Sequence, residues 1–443
     1  MANRLSHVQA MKQTAEHVFR HTLAAIDIPS TLARKLQREN SRICAGPAGI
    51  DLSDYREIVA IAFGKAAFAM ADGLSSILAP EFPPDGILVV PALPPRALPG
   101  WQTFIGGHPI PTAESFAAGR AILDRLARCD EHTLIFFLLS GGGSALVEQP
   151  LDPGVTLQDF QQLHSALVTC GAPIEEINVV RKHFSATKGG RLASAAPTAM
   201  KLTFAVSDVP EGHETALASG PTVPDPTTLH DLKEIIRGYG LRPKLPASLR
   251  EMIEMGQLRE TPKEGDPAFT RAHFEILLGE HDLLHAAHHC CEAEGFICMV
   301  DAETDGWPLE RAADHLLREL ENLQKQYPGK RVAIFAGGEL SCPVTGNGIG
   351  GRNSAFVLTC APKIAGKGIA VLSAGTDGID GNSAAAGAVA DGETLKRALA
   401  ANLDPTDFAA RSDAYNFFAR LDDRVITGPT GNNLRDLRIL LMR

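Results

Sequence analysis

Two charged residues and a glycine-rich loop each follow an apolar run of strand length in the first half of the chain. The charged residues are Lys65 and Asp208, and the glycine-rich loop is Ser140-Gly141-Gly142-Gly143-Ser144. Consecutive glycines allow main-chain amides to turn toward one anion. An aspartate can orient a hydroxyl group, accept its proton or bind Mg²⁺. These residue types suit a phosphate-binding site with a lysine for charge and a carboxylate for a hydroxyl or a metal.

Each of these features also has a purely structural interpretation. Glycine is the ordinary residue of α/β loops, a lone lysine is usually on the surface, and an aspartate after a strand can form a turn or cap a helix. The glycine-rich loop lacks the GxxxxGK[ST] pattern of a Walker A motif, so any nucleotide would be held in another way. The residues alone leave both interpretations open.

A second group of candidates lies in glycine-rich segments of the second half. The span 346–351 fits the GxGxxG pattern of dinucleotide-binding proteins, but its helix has only about nine residues before Pro362 and no acidic residue ends a strand about 20 residues later. Arg352, directly after the glycines, instead favours a guanidinium that binds a phosphate or a carboxylate. Three acidic residues after further apolar runs are candidates for substrate or metal contacts: Glu339, Asp377 and Asp380.

A cluster of positive charge at 177–193 is the densest in an acidic chain. It contains Lys188, which we predict to bind nucleotide phosphate together with the glycine-rich loop. Its structural alternative is a solvated helix face. The histidines at 281–289 lack an HExxH motif and the eight cysteines form no CxxC pair, so the metal ligands stay unknown.

The elements that must position these residues follow from the spacing of apolar residues. Continuous apolar runs alternate with stretches of helical periodicity, which predicts an α/β fold with a mostly parallel sheet and helices on both faces. The runs in the first half are 58–63, 86–90, 134–139 and 202–206. Because ligands bind beyond the carboxyl ends of parallel strands, the residues after these runs are well placed for a site.

A proline-rich stretch between residues 222 and 265 divides the chain. After it, the alternation restarts with a strand at 274–278, which predicts a second α/β domain, and the segment 425–442 predicts a turn and a short final strand. The predicted domains are 1–240 and 273–443, joined by a linker region at 241–272.

Composition limits the classes of function. The chain has 443 residues, 44 % hydrophobic and 21 % charged, as expected of a globular protein with two or three domains. Its formal net charge of −10, without a long basic run, argues against nucleic acid or anionic membranes as partners. The most apolar stretch, 134–139, has six residues and the first 20 residues show no secretory signal, so we expect a cytoplasmic protein with reduced cysteines.

The order and combination of the motifs resemble one known family. Over most of its length the chain is similar to the glycerate 2-kinases that carry a C-terminal MOFRL domain, some of which are labelled hydroxypyruvate reductase. The matching segments are FGKAA at 63–67, GGHPIP at 106–111, LSGGGSAL at 139–146, INVVRKHFSATKGGRLA at 177–193, SDVP at 207–210, ASGPTVPDPTT at 218–228, GGE at 337–339, GNGIGGRN at 346–353, GTDGIDG at 375–381 and TGPTGNNLRDL at 427–437.

The resemblance implies a Rossmann-like first domain, a smaller α/β (MOFRL) second domain and an active site in the cleft between them. It implies ATP and Mg²⁺ as cofactors and D-glycerate as the substrate that is phosphorylated on its 2-hydroxyl. Lys65, Asp208 and Arg352 match the family's active-site lysine, aspartate and arginine. We assign Lys65 and Arg352 to charge on the phosphoryl group or the glycerate carboxylate, and Asp208 to the hydroxyl or to Mg²⁺. The glycine-rich loop is assigned to nucleotide phosphates.

Two departures from the family pattern and two other functions stay open. Glu211-Gly212-His213-Glu214 stand where the family has glycine and paired acidic residues, and Ser354-Ala355 stand where it has glutamine and glutamate. The other functions are an NAD(P)H-dependent hydroxypyruvate reductase, which only the GxGxxG span supports, and a non-catalytic binder of small organic anions. Phosphorylation of the 2-hydroxyl rests on the resemblance, and a homodimer is one option for the assembly.

Overall fold

A computed structural model describes residues 2–44, 49–210 and 212–443 of the protein. The helices are α1 (Ala2–Ala25), α2 (Ile28–Leu36), α3 (Ala67–Leu78), α4 (Ala113–Leu126), α5 (Gly143–Leu146), α6 (Leu157–Val168), α7 (Ile174–Phe184), α8 (Arg191–Ser194), α9 (Leu229–Gly238), α10 (Ala247–Glu254), α11 (Glu280–Ala293), α12 (Leu309–Gln326), α13 (Arg352–Lys363), α14 (Thr394–Ala400), α15 (Pro405–Ala410) and α16 (Ala414–Leu421). The strands are β1 (Arg42–Ile43), β2 (Ile50–Asp51), β3 (Glu57–Phe63), β4 (Asp85–Val90), β5 (Trp101–Ile105), β6 (Thr133–Ser140), β7 (Met200–Val206), β8 (Ala272–Leu278), β9 (Phe296–Asp301), β10 (Arg331–Ala336), β11 (Ile369–Gly375), β12 (Gly387–Asp391), β13 (Arg424–Val425) and β14 (Asp436–Met442). These elements form two compact units: the first unit is Ile28–Leu277, and the second unit joins residues up to Asp27 to Leu278–Arg443.

The first unit is built on a six-stranded sheet with the order β5-β4-β3-β6-β7-β8. The pairings among β5, β4, β3, β6 and β7 are all parallel, and Ile61 of β3 lies opposite Phe137 of β6. All eight residues of β6 are buried, as expected of a central strand with helices on both faces. The four apolar runs of the first half lie within β3, β4, β6 and β7, so the predicted α/β fold with a parallel sheet is confirmed.

A layer of helices in the first unit carries the positively charged segment 177–193. Residues of α6, α7, α9 and α10 share one apolar cluster, which includes Phe160, Leu163 and Val180. Helix α6 begins at a capping box in which the Asp159 N–H donates to Thr156 Oγ1 at 3.2 Å. This cluster packs α7 against α6. The packing fixes which side chains of α7 face α6.

The second unit contains a mixed sheet with the order β13-β12-β11-β14-β10-β9. Only the pairing of β10 with β9 is parallel among those described, and β14 runs antiparallel to both β10 and β11. The final strand predicted at the end of the chain is therefore present as β14, and it lies in the middle of the sheet. Its run of buried leucines and isoleucine fits a strand that is covered on both faces.

The compact units differ from the predicted domain bounds at three places. Strand β8, predicted to open the second domain, is the edge strand of the first sheet beside β7, where the Lys201 N–H donates to the Arg271 carbonyl at 2.8 Å. Helix α1 packs against α11 and strands β11 and β12 and belongs to the second unit. The predicted linker contains α10, whose Leu249 and Met252 are buried in the helical cluster of the first unit.

Candidate active site

Lys65, the glycine-rich loop and Asp208 come together at one edge of the first sheet. They follow β3, β6 and β7, which are adjacent and parallel, so their carboxyl ends lie side by side. The Lys65 N–H donates to the Gly141 carbonyl at 3.0 Å, and the Ala66 N–H donates to Ser140 Oγ at 2.9 Å. These two hydrogen bonds hold the backbone of Lys65 and Ala66 directly against the glycine-rich loop.

The glycines of the loop are required by space and by backbone conformation. Gly142 has a φ of 83°, and a Cβ there would lie 3.5 Å from both Lys65 Cγ and His108 Cε1. A Cβ at Gly143 would lie 2.8 Å from the ring of Phe63 and would displace it. Because Gly142 has no side chain, the main chain of the loop faces Lys65 and His108 directly.

Ser144 is tied into a short chain of polar side chains. Its Oγ is 2.6 Å from Ser219 Oγ, and Ser219 Oγ donates to Asn178 Oδ1 at 3.2 Å. Ser219 and Asn178 are both buried. The glycine-rich loop is thus anchored at both ends, through Ser140 and through Ser144, which distinguishes it from a simple flexible connection between a strand and a helix.

Lys188, predicted to bind phosphate, lies in a buried ion pair. Its Nζ is 2.6 Å from Glu148 Oε2 and donates to the Val147 carbonyl at 3.2 Å, and only 2 % of the residue is exposed. Burial lowers the pKa of Lys188, and the charge of Glu148 opposes that change. Its ammonium is bonded to two oxygens and supports the segment after the glycine-rich loop, and contact of Lys188 with a phosphate stays a prediction.

Asp208 lies half-buried two residues beyond the end of β7. The neighbouring turn is closed by Ser207, whose Oγ accepts from the Val209 N–H at 3.3 Å. Of the family departure that follows, Glu211 and the Glu214 side chain lie outside the described residues. Within the residues that the structure does describe, no group of three or more His, Cys, Asp and Glu side chains is placed to hold a metal ion.

In the second unit, Arg352 is the first residue of α13 and is held by two carboxylates. Its Nε donates to Asp436 Oδ2 at 2.5 Å, and its Nη2 lies 2.7 Å from Glu339 Oε1. Burial would lower the pKa of Arg352, but the charge and hydrogen bond of Asp436, followed by the charge of Glu339, raise it above its usual value. Arg352 is a fixed cation, and the predicted substrate contact Glu339 is one of its partners.

Asp380, predicted to contact substrate or metal, caps α13. Its carboxylate accepts from the N–H groups of Asn353 and Ser354 at 2.9 Å and from Ser354 Oγ at 2.6 Å. Burial raises the pKa of Asp380, and the residue is 1 % exposed. These hydrogen bonds give Asp380 a structural role, because they orient the helix that begins with Arg352. Contact of Asp380 with substrate or metal stays a prediction. Ser354, a departure from the family pattern, is part of this cap.

The GxGxxG span serves packing within the second unit. A Cβ at Gly346 or Gly348 would lie 2.5 or 2.6 Å from the Arg411 carbonyl oxygen, and a Cβ at Gly351 would lie 2.3 Å from Asp380 Oδ1. The preceding strand, β10, ends at Ala336, so the glycines do not form the turn from a strand into a helix that a dinucleotide site needs. Close packing therefore explains why these positions are glycine, without a bound dinucleotide.

The predicted substrate or metal contact Asp377 lies in a turn of the second unit. Asp377 Oδ1 accepts from the Ile379 N–H at 3.0 Å and shapes the turn after β11. Asp436, the main partner of Arg352, lies in the matching segment 427–437, but the sequence predicts no role for it. Arg181 and His164, on α7 and α6, form a hydrogen bond of 2.9 Å. Arg181 lies inside the densely basic segment 177–193, which was the signal in the sequence that could have identified it. No such signal marks His164.

Family models match the chain over two stretches: Domain of unknown function (DUF4147) over residues 14–254 and the MOFRL family over 332–436. D-glycerate 2-kinase of Thermotoga maritima is 33 % identical over 390 residues, which are 87 % of this chain and 90 % of that protein. A protein of Agrobacterium vitis that is named as a hydroxypyruvate reductase is 36 % identical over 395 residues. These residues are 87 % of this chain and 87 % of that protein.

A solved structure matches nearly the whole chain. The crystal structure of glycerate kinase from Thermotoga maritima superposes with a TM-score of 0.84 at 30 % sequence identity, and the match covers 98 % of this chain and 100 % of that one. Among the helices that the structure describes, none has both the length and the apolar character needed to span a bilayer.

Proposed function

We propose that this chain, which belongs to the glycerate 2-kinase family of DUF4147 and MOFRL proteins, uses ATP and Mg²⁺ to phosphorylate the 2-hydroxyl of D-glycerate. The family predicted from the motifs is confirmed, and with it the enzyme class, a glycerate kinase. The observation that carries the proposal is the gathering of Lys65, the glycine-rich loop and Asp208 at one edge of a parallel sheet.

The proposed reaction breaks the bond between the γ-phosphorus and its bridging oxygen and forms a bond from that phosphorus to O2 of glycerate. ADP leaves with the bond's electron pair, and the hydroxyl proton is released. The transition state for such a transfer is loose, so alignment and positive charge contribute most of the catalysis. In this proposal the main-chain amides of the glycine-rich loop bind nucleotide phosphate, and Lys65, whose backbone is hydrogen-bonded to that loop, places positive charge on the phosphoryl group.

The donor set at the sheet edge fits Mg²⁺ bound by few protein ligands. This ion is usually held by one or two carboxylates together with phosphates and water, so a preformed cluster of side chains is not needed. Asp208 supplies a carboxylate beside the glycine-rich loop, and we assign it to the metal. When bound, Mg²⁺ would offset the charge of the phosphate oxygens.

Arg352 is proposed to be required for the same reaction. Its guanidinium is kept charged and oriented by Asp436 and Glu339, and Asp380 fixes the helix that carries it. About a third of the Arg352 side chain, 35 %, is exposed, so it can meet an anionic group. The rival reductase function has no such support, since its GxGxxG span has a packing role.

A coupled assay tests the proposed activity and its regiochemistry. Purified protein is incubated with D-glycerate, ATP and Mg²⁺, and product is read with enolase, pyruvate kinase and lactate dehydrogenase. Enolase acts on 2-phosphoglycerate directly, so NADH oxidation without added phosphoglycerate mutase is expected. A signal that requires the mutase would contradict transfer to the 2-hydroxyl, and ³¹P NMR of the product gives an independent reading.

The controls separate the three functions considered. Omission of glycerate and addition of EDTA should each abolish product formation. A parallel reaction with hydroxypyruvate and NADH should show no turnover, and turnover there without phosphate transfer would establish the reductase. Glycerate binding with no product in either reaction would establish a non-catalytic binder.

A further inference from the structure

A small pocket in the first unit contains a half-buried arginine beside the glycine-rich loop. It is lined by Arg181 of α7, by His164 and apolar side chains of α6, by Ser144 and Ala145 of α5 and by the Pro109–Pro111 segment. His108, next to this segment, lies against the same position, Gly142, that Lys65 approaches. The pocket is thus adjacent to the glycine-rich loop, whose Ser144 is part of its lining.

The charges around this pocket do not balance. Glu148 is the acidic residue that lines it, and its carboxylate already bonds Lys188 at 2.6 Å, as well as the N–H of Gln149 at 2.9 Å. Lys182, the next residue on α7, has its own partner in Asp225 at 3.1 Å. Two cations, Arg181 and Lys188, therefore face one carboxylate, and one positive charge is in excess.

That excess charge is on Arg181. Among the described residues, its one hydrogen bond is from Nη2 to His164 Nδ1, at 2.9 Å, and no carboxylate lies within 4.0 Å of its guanidinium. The nitrogens of Arg181 that lack a protein partner are not sealed from solvent. Leaving a half-buried arginine without a carboxylate is unfavourable, and this chain has 52 acidic residues that could have supplied one.

His164 orients Arg181 without neutralising it. A guanidinium can only donate, so Nδ1 of His164 is the acceptor and the ring is neutral with its proton on Nε2. Burial, followed by the positive charges of Arg181 and His108, lowers the pKa of His164 to about 4. The ring therefore stays neutral at physiological pH, fixes the plane of the guanidinium and leaves its charge available to an anion.

We propose that Arg181 binds the carboxylate of the hydroxy-acid substrate in this pocket, with His164 as its positioning residue. The identity of the acid as D-glycerate rests on the proposed function. A carboxylate suits the pocket better than the phosphates of a nucleotide, because the space is small and its α6 wall is apolar, formed by Phe160, Leu163 and Leu167. The planar fork of a guanidinium also matches the two oxygens of a carboxylate.

Binding measurements without nucleotide test the carboxylate assignment. By isothermal titration calorimetry, Arg181→Gln should weaken D-glycerate binding on the order of 10²-fold, as expected for loss of one partner of a buried charge pair. Arg181→Lys, which keeps the charge and loses the fork, should weaken it about tenfold. Binding of ATP with Mg²⁺ should change less than about twofold in both variants, because the proposal gives Arg181 no contact with the nucleotide.

A matched control is Arg191→Gln. Arg191 is also half-buried in the first unit and donates to the Arg259 carbonyl at 3.0 Å, outside the pocket. Its replacement should leave glycerate binding unchanged. Circular dichroism and melting curves of all three variants identify any loss of folding, and the Arg181→Lys variant keeps the test decisive if Arg181→Gln does not fold.

A neutral substrate analogue separates charge recognition from a structural effect. The wild-type protein should bind D-glycerate more tightly than D-glyceramide, and Arg181→Gln should remove most of that preference. Equal weakening of both ligands would show a structural role and overturn the proposal. Weaker ATP binding with unchanged glycerate binding would assign Arg181 to phosphate and also overturn it.

The role of His164 is tested by rescue. His164→Leu removes the acceptor and should weaken glycerate binding about tenfold, whereas His164→Asn offers an oxygen near the position of Nδ1 and should restore most of the affinity. Equal affinities of the two variants would exclude positioning by this hydrogen bond. If the wild-type protein binds glycerate without phosphorylating it, the proposed function fails and the subsite stands. Failure to bind glycerate, lactate and tartronate would remove the subsite.

Discussion

Arg181 of the first unit and Arg352 of the second unit are held in opposite ways. Arg181 bonds the neutral His164 and has no carboxylate partner among the described residues. In the second unit, Arg352 bonds Asp436 and Glu339, and Arg435 bonds Glu280 and Asp305. A cation without a carboxylate partner can attract an anion, whereas a cation bonded to two carboxylates is fixed in direction and has part of its charge offset.

The largest effect is expected at Lys65. Lys65→Met should lower kcat about 10³-fold, since it removes the positive charge that we propose to act on the phosphoryl group. The measurement is the enolase-coupled assay at saturating substrates, with Lys233→Met on the exposed face of α9 as the control. Normal turnover in Lys65→Met would refute the proposed role.

Arg352→Ala should lower kcat on the order of 10²-fold, less than Lys65→Met, because two carboxylates already offset part of the arginine's charge. The control is Arg411→Ala, which removes an arginine of the same unit that pairs with Asp407 at 2.8 Å. A greater loss of kcat in Arg352→Ala than in Lys65→Met would contradict this expected order.

Asp436→Asn tests whether direction or charge matters more at Arg352. It preserves the size of the side chain and loses its charge, so Arg352 would be oriented mainly by Glu339. We expect kcat to fall about tenfold through misplacement of the guanidinium. Asp407→Asn is the matched control, because Asp407 is an exposed partner of an arginine. A faster enzyme would mean that the lost negative charge outweighs the lost orientation.

The smallest effect is expected from Ser354→Ala. The substitution removes the hydrogen bond of 2.6 Å from Ser354 Oγ to Asp380 and should lower the free energy of unfolding by about 1 kcal/mol. Turnover should be almost unchanged, because the backbone N–H groups of Gly351, Asn353 and Ser354 still bind Asp380. Thermal unfolding is compared with that of Ser76→Ala, whose exposed hydroxyl bonds only its own helix. A large loss of turnover would place Ser354 closer to the reaction than its cap role implies.

The arrangement at the edge of the first sheet was within reach of sequence reasoning. Apolar runs mark β3, β6 and β7, and parallel strands that are neighbours necessarily bring the residues after them together. Lys65, the glycine-rich loop and Asp208 could be grouped by this rule without any contact being known. The fold class could also be predicted, because it follows from the local spacing of apolar residues along the chain.

Roles that depend on distant partners could not be predicted. Residue type and nearby glycine-rich segments predict ligand contacts for Lys188 and Asp380. In the structure Lys188 bonds Glu148, 40 positions away, and Asp380 bonds Ser354, 26 positions away. A charged side chain has the same appearance in a sequence whether it meets a ligand or a buried partner. The excess charge at Arg181 needs the whole set of ion pairs around it and is visible only in the structure.

The placement of α1 has a consequence for synthesis on the ribosome. The first unit is one continuous segment and can fold once residue 277 has emerged, whereas α1 precedes it and the strands β11 and β12 that α1 packs against come more than 300 residues later. At ordinary translation rates this interval is roughly 15 to 70 seconds. During it, no more than α11 has been made of the elements that α1 packs against, so side chains such as Val18 and Phe19, which are fully buried in the finished protein, are not yet covered. A nascent chain of this length is therefore a natural client for chaperones that bind near the exit tunnel.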